Sequence, residues 1–274
     1  MCSSDLVVSK LWSISVASGY SVVATGDFNG DGFVDVVWEG ADSNTLYLWS
    51  SNGTSFTSQL IGYLPFISSE EQVVGAGDVD GDGKSDLIFT DPSPGTLEYW
   101  IMDGAKVVKQ WSTSVAQGYY IDAMGDFNGD GRVDLVWTSP KRDLYLWASN
   151  GTSFDASYIG TYPAGWSLVG AGDVDGDGMS DLLWRNQSAG SFGYWIMQGS
   201  RPVRIWSTNA GSAYRVASIG DFNGDGKVDV VWTSNARDLY MWMSNGSTFR
   251  ATYFGTYPGG WSMVPSQLMA WGHP

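Results

Sequence analysis

The segment GDFNGDGRVDLVW, residues 125–137, joins a run of aspartate and glycine that favours a tight turn to a run of β-branched and aromatic residues that favours a strand. Four near copies surround it: GDFNGDGFVDVVW (26–38), GDVDGDGKSDLIF (77–89), GDVDGDGMSDLLW (172–184) and GDFNGDGKVDVVW (220–232). Their first aspartates are spaced by 51, 48, 47 and 48 residues, a period that suits a four-stranded blade. In the third unit the alternation predicts strands at YIDAMGDF (120–127), VDLVW (133–137), LYLWAS (144–149) and ASYIGTY (156–162). Gly, Asn and Ser clusters such as Asn150-Gly151-Thr152 separate them. No segment carries a helical period.

The units alternate. The first, third and fifth share Y-x-W followed by S-N-G, whereas the second and fourth share Y-W-I-M-x-G at 99–104 and 194–199. A strand quartet cannot bury both of its faces alone, so successive units must stack, and repeats of this length usually close radially. The expected fold is therefore all-β: a β-propeller of four-stranded blades, with five complete blades and a partial sixth made from the two chain ends. KLWSISVASGY (10–20) aligns with KQWSTSVAQGY (109–119), the exit of the second unit, and TYPGGWSMV (256–264) aligns with TYPAGWSLV (161–169). Leu268, Ala270 and Gly272 stand where a sixth loop would need acidic residues, so that loop is absent and the chain reads as a propeller fragment. Residues 1–6 match nothing in the repeat and read as a non-native leader, which leaves 7–274 as a single propeller domain.

Composition agrees with this reading. Only 16% of residues are charged, while 36 Gly, 15 Trp and 14 Tyr suit many short strands and tight turns. The formal net charge of -15 disfavours nucleic acid and anionic membrane surfaces as direct partners. No run approaches the length of a membrane span, so direct membrane insertion is not expected. Cys2 is the only cysteine, so no intrachain disulfide can staple the loops.

Cations can. Calcium takes six to eight oxygens, and D-x-[DN]-x-D-G-x-x-D supplies them from alternate positions of a short turn. Side-chain ligands are predicted at positions 1, 3, 5 and 9, with a backbone carbonyl at position 7. The five sets are Asp27, Asn29, Asp31, Phe33 and Asp35; Asp78, Asp80, Asp82, Lys84 and Asp86; Asp126, Asn128, Asp130, Arg132 and Asp134; Asp173, Asp175, Asp177, Met179 and Asp181; and Asp221, Asn223, Asp225, Lys227 and Asp229. The variety at position 7 fits a backbone ligand. EF-hand and dockerin loops place an acid at position 12, where this chain has Trp38, Phe89, Trp137, Trp184 and Trp232, inside strand-like runs. The loops hold 17 of the 29 acidic residues, and five Ca²⁺ would bring the charge from -15 to -5. Cytosolic calcium would leave weak sites of this kind empty, so the expected location is secreted or cell surface.

The loop together with LLWRN (182–186) and W-I-M-x-G (195–199) resembles the FG-GAP/VCBS repeat family across residues 7–264. The resemblance implies a calcium-loaded propeller like the integrin α-subunit head, with each loop joining the first two strands of a blade. Clear FG-x-x-x-x-GAP motifs are lacking, so integrin-type adhesion is not carried over.

The expected function is a non-catalytic module that binds a glycan or protein. Candidate contacts are the repeated Tyr47, Trp49, Tyr145, Trp147, Tyr240 and Trp242, with Tyr162, Trp166, Tyr257 and Trp261 in the connections. Packing between blades is the competing reading for these aromatics. A propeller-type polysaccharide lyase or hydrolase and a structural spacer are the alternatives. The enzyme reading has little support: the one histidine, His273, is penultimate, Asp143 and Asp238 are repeat equivalents, and Glu70-Glu71 reads as a solvated loop. Asn52, Asn150, Asn186 and Asn245 begin N-x-[ST] sequons, which turn propensity explains for the three at the repeated S-N-G turn.

Overall fold

The computed structural model describes residues 15–40, 44–64, 72–91, 93 and 95–263. The leader, Cys2, Glu70-Glu71, Leu268, Ala270, Gly272 and His273 lie outside these residues. So do residues 10–14 and 264, at the outer limits of the two segments read as a sixth blade.

The described chain forms twenty strands in five antiparallel sheets of four, and every sheet is ordered as its strands follow in sequence. The first blade holds β1 (Tyr20–Gly26), β2 (Asp35–Gly40), β3 (Thr45–Ser51) and β4 (Phe56–Tyr63). The second holds β5 (Gln72–Gly77), β6 (Asp86–Asp91), β7 (Thr96–Asp103) and β8 (Lys106–Ser114). The third holds β9 (Tyr120–Gly125), β10 (Asp134–Thr138), β11 (Asp143–Ser149) and β12 (Phe154–Thr161). The fourth holds β13 (Ser167–Gly172), β14 (Asp181–Asn186), β15 (Ser191–Gln198) and β16 (Arg201–Asn209). The fifth holds β17 (Tyr214–Gly220), β18 (Asp229–Ser234), β19 (Asp238–Ser244) and β20 (Phe249–Thr256). This is a five-blade β-propeller.

The first strands of neighbouring blades meet one another, β1 with β5, β5 with β9, β9 with β13 and β13 with β17, which puts them at the hub. The second strands of blades two, three and four are flanked by sheets on both faces. That is why runs such as DLIFT and DLVWT are apolar on both faces rather than alternating, and β6 and β10 are buried throughout. The fourth strands face solvent, and FDASYIGT is accordingly exposed along most of its length. A β-bulge interrupts the pairing of the first two strands in every blade, at Val22/Ala24 in the first and Val216/Ser218 in the fifth.

The core lies between blades, not within them. Phe28, Leu46 and Leu48 of the first blade pack with Leu87, Trp100 and Met102 of the second. Val133, Leu135 and Trp137 of the third pack with Val79, Tyr99 and Ile101 of the second. Each such contact removes several large side chains from water, at roughly 1.5 to 3 kcal/mol apiece. The blades therefore stand by one another's faces.

Candidate metal centres and their setting

Each aspartate-rich loop joins the first and second strands of its blade, and all five adopt one conformation. Glycines at positions 4 and 6 hold φ between 74° and 86° in every loop, a region closed to most side chains. These turns aim backbone N–H groups at the position 1 carboxylate. In the fourth loop Gly176 N–H donates to Asp173 Oδ1 at 2.6 Å and Gly178 N–H to Oδ2 at 2.7 Å, and the fifth repeats this with Gly224 and Gly226 on Asp221. The position 5 carboxylate accepts from the position 7 N–H at 2.9 Å in all five loops.

Position 9 has a structural task that its spacing did not reveal. Asp35, Asp86, Asp134, Asp181 and Asp229 are all fully buried. One oxygen of each accepts from the position 2 N–H, and the other accepts from the end of the third strand or close to it. In the fourth blade these bonds are Val174 N–H to Asp181 Oδ2 and Met197 N–H to Oδ1, both 2.8 Å. In the fifth, Phe222 N–H and Ser244 N–H do the same for Asp229. Position 9 thus latches the loop to its blade. Burial pushes the Asp86 and Asp181 carboxyls up to about 7 and those of Asp134 and Asp229 up to about 6, against the pull of the N–H donors and with a push from neighbouring loop carboxylates.

Two loops gather three carboxylates whose oxygens lie within 4.8 Å of one another: Asp78, Asp80 and Asp86 in the second, and Asp173, Asp175 and Asp177 in the fourth. Asp175 Oδ1 is buried and has no hydrogen-bond partner among the described residues. Its other oxygen lies 3.9 Å from Arg204. A hard oxygen-binding cation suits this donor set, because it would satisfy the orphaned oxygen and relieve the crowded negative charge. The first, third and fifth loops carry Asn29, Asn128 and Asn223 at position 3, where an amide oxygen replaces a carboxylate. The side chain at position 7 belongs to the surroundings of the loop: Lys84 reaches Asp103 at 2.7 Å, and Arg132 pairs with Asp130.

The aromatics named as candidate contacts divide by place. Tyr145 and Trp147 pack against the core between blades two and three, and Tyr240 and Trp242 against that between four and five. Tyr162 is buried beside Trp184. These are packing residues. Asp143 and Asp238 are held by Ser139 and Ser234, which confirms their repeated structural role. Asn52, Asn150 and Asn245 close their own turns by accepting backbone N–H bonds.

One aromatic surface was not legible from the repeat. A groove of about 160 Å³ lies on the fourth blade, lined by Pro163, Trp166, Trp184, Gly193, Trp195 and Trp206 among others. The second blade has Glu98 where the fourth has Gly193, and Glu98 accepts a bond from Trp100 Nε1 at 2.8 Å. The signal was the single glycine that departs from the blade-pair pattern.

A fold of four-stranded blades with one aspartate-rich loop each defines the class of protein as a repeat β-propeller, and the comparisons give its family. The FG-GAP-like repeat profile matches residues 27–89 and 126–184, and the FG-GAP repeat profile matches 212–254. The chain belongs to the FG-GAP repeat family. Such repeats are typical of extracellular proteins, and their propeller fits a non-catalytic module. Among the described residues no helix is long and apolar enough to cross a membrane.

No curated protein matches the sequence. Among solved structures, the chain is similar to the Photorhabdus luminescens Tc holotoxin pore, with a TM-score of 0.55 and 19% identity over 90% of this chain and 12% of that one. It is also similar to Chaetomium thermophilum Raptor, with a TM-score of 0.52 and 13% identity over 86% of this chain and 21% of that one. A chain of a nidogen/laminin complex gives a TM-score of 0.52 and 14% identity, over 86% of this chain and 81% of the other. These likenesses concern the fold. The chain spans about an eighth and a fifth of the lengths of the first two.

Proposed function

We propose that the chain is a non-catalytic, calcium-loaded propeller module of a secreted or surface protein, with a structural ion in each of its five loops and a glycan or protein ligand held on its surface. The observation that carries the calcium reading is the convergence of Asp173, Asp175 and Asp177 around an unpartnered buried oxygen. Positions 1, 3 and 5 would supply side-chain oxygens and position 7 its carbonyl, while the position 9 carboxylate lies in the same acidic cluster in the second loop. Calcium would neutralise the crowded carboxylates and stiffen each turn. No proton transfer or bond cleavage is assigned to the ion.

For the ligand, the groove beside the half-buried Trp166 and Trp195 is the favoured place, since an indole face left accessible in a groove suits stacking on a sugar ring. We also read residues 10–20 and 256–264 as last and first strands of a further blade, on their match to 109–119 and 161–169. Calorimetric titration of the EDTA-treated chain with CaCl₂ tests the metal reading, with heat of binding and a raised melting temperature expected. Absence of both would end it. Retention on a glycan array with and without EDTA, repeated with Trp195→Ala, tests the ligand reading separately.

A further inference from the structure

Blades two and four share the second-type pattern and differ at a position on the face that each turns toward the preceding blade. Across three paired strands blade four sets Trp184, Gly193 and Ser207 side by side, where blade two sets Phe89, Glu98 and Ser112. The aromatic pair beside this row is the same in both blades. Trp184 and Trp195 lie 4.9 Å apart at 41°, and Phe89 and Trp100 lie 4.8 Å apart at 51°.

In blade two the Glu98 side chain reaches the edge of its aromatic pair, where Oε1 accepts from Trp100 Nε1 at 2.8 Å, and Trp100 is buried. In blade four the same place is a notch. Gly193 forms its floor, Pro163 and Trp166 of the connection from blade three and Ile205 of the outer strand wall it, and Trp195 is only half-buried. A Cβ on Gly193 would meet Trp206 O at 2.6 Å, so the backbone itself keeps the notch clear of a side chain.

Size and charge limit what the notch can hold. Pockets for drug-sized ligands begin at about 300 Å³, whereas this one measures about 160 Å³, the share of about five waters. That is room for one ring, not for a length of polymer. No charged side chain is among its lining residues, and the chain as a whole carries -15. An anionic ring would lose its water there with no cation to receive it. A quaternary ammonium needs room between aromatic faces, within about 6 Å of their centres. Trp184 and Trp195, at 4.9 Å, leave no such room between them and form one platform. The platform suits a flat uncharged ring, and Glu98 Oε1 in blade two marks where an oxygen on that ring's rim would sit.

We infer that the groove of blade four is a subsite for a single neutral pyranose ring, stacked on the accessible face of Trp195. One ring hydroxyl takes the place of Glu98 Oε1 and accepts from the Trp195 indole N–H, and another meets the Ser207 hydroxyl. The inference rests on the glycan reading above and narrows it to one uncharged ring on one blade, because blade two fills the equivalent place with its own side chain. A pyranose brings both an apolar face for the indole and hydroxyls at its rim. A proline ring brings only the first.

Saturation-transfer NMR on the full chain in calcium tests this, with the methyl β-pyranosides of glucose, galactose and N-acetylglucosamine as probes. Glucuronate, tetramethylammonium and a proline-rich peptide serve as counter-probes. At least one neutral pyranoside is expected to bind, with transfer strongest on the protons of one ring face. Trp195→Ala should weaken it by about tenfold or more. Trp195→Phe keeps an aromatic face and loses the N–H, and should weaken it roughly threefold with the melting temperature unchanged. Preference for any counter-probe over every neutral pyranoside would overturn the proposal, as would pyranoside binding that Trp195→Ala leaves intact. If no pyranoside binds while a longer glycan or a protein is retained in a Trp195-dependent way, the single-ring subsite falls and the surface-ligand reading stands. If nothing is retained in that way, both fall.

Discussion

The loops of the fourth and fifth blades share a turn, a latch and a glycine pattern, yet differ in charge: Asp173, Asp175 and Asp177 against Asp221, Asn223 and Asp225. In the fourth loop burial pushes the Asp175 carboxyl up, and Asp177 and Asp173 push it further. In the fifth, Asn223 Oδ1 accepts the Asp225 N–H at 2.9 Å and carries no charge. The shared parts fold the turn, and the difference sets how much negative charge it gathers.

The largest expected effect tests the shared requirement. EDTA should lower the melting temperature steeply; a site with a dissociation constant near 10⁻⁵ M contributes about 2.7 kcal/mol in millimolar calcium. Differential scanning fluorimetry across a calcium series reads it, and a flat response would remove the common ground of the two loops. Next comes the latch. Asp181→Ala and Asp229→Ala each strand two buried N–H groups, so each should cost on the order of 3 kcal/mol by urea denaturation in calcium. Equal costs would confirm that position 9 serves both loop types alike.

Proton binding sharpens the contrast without metal. The latch carboxyls have folded pKa values of about 6 to 7, above the ordinary aspartate value of 3.8. The folded state therefore binds more protons between about pH 4 and 7. In EDTA, stability should fall as pH rises through that window, and saturating calcium should flatten or reverse the slope. The smallest effect is the most specific: Asp175→Asn should raise metal-free stability by about 1 kcal/mol while weakening calcium binding at that loop, and Asn223→Asp should do the opposite in the fifth.

Much of the fold was legible because its signals are local. The spacing of the aspartate loops, the turns at Asn52, Asn150 and Asn245, and the strand runs all lie within short windows, and the third-blade strands fall within a few residues of their expected bounds. The latch was hidden because Asp181 meets Met197 N–H sixteen residues away, and a backbone donor leaves no mark on residue type. Trp147 and Trp242 could not be placed from sequence, since an indole on a strand reads alike whether a sugar or another blade covers it. Gly193 acquires meaning only beside Glu98.

The bonds that cross from loop to loop carry one more consequence. Ser85, Val133, Ser180 and Val228 each donate a backbone N–H to the carbonyl of the preceding loop's first aspartate. The aspartate-rich turns are thereby strung in series, each pinned by its successor. Loading should then spread from neighbour to neighbour, as in other linear arrays of repeats. In a calcium withdrawal the fifth turn, with no successor among the described residues, should let go first.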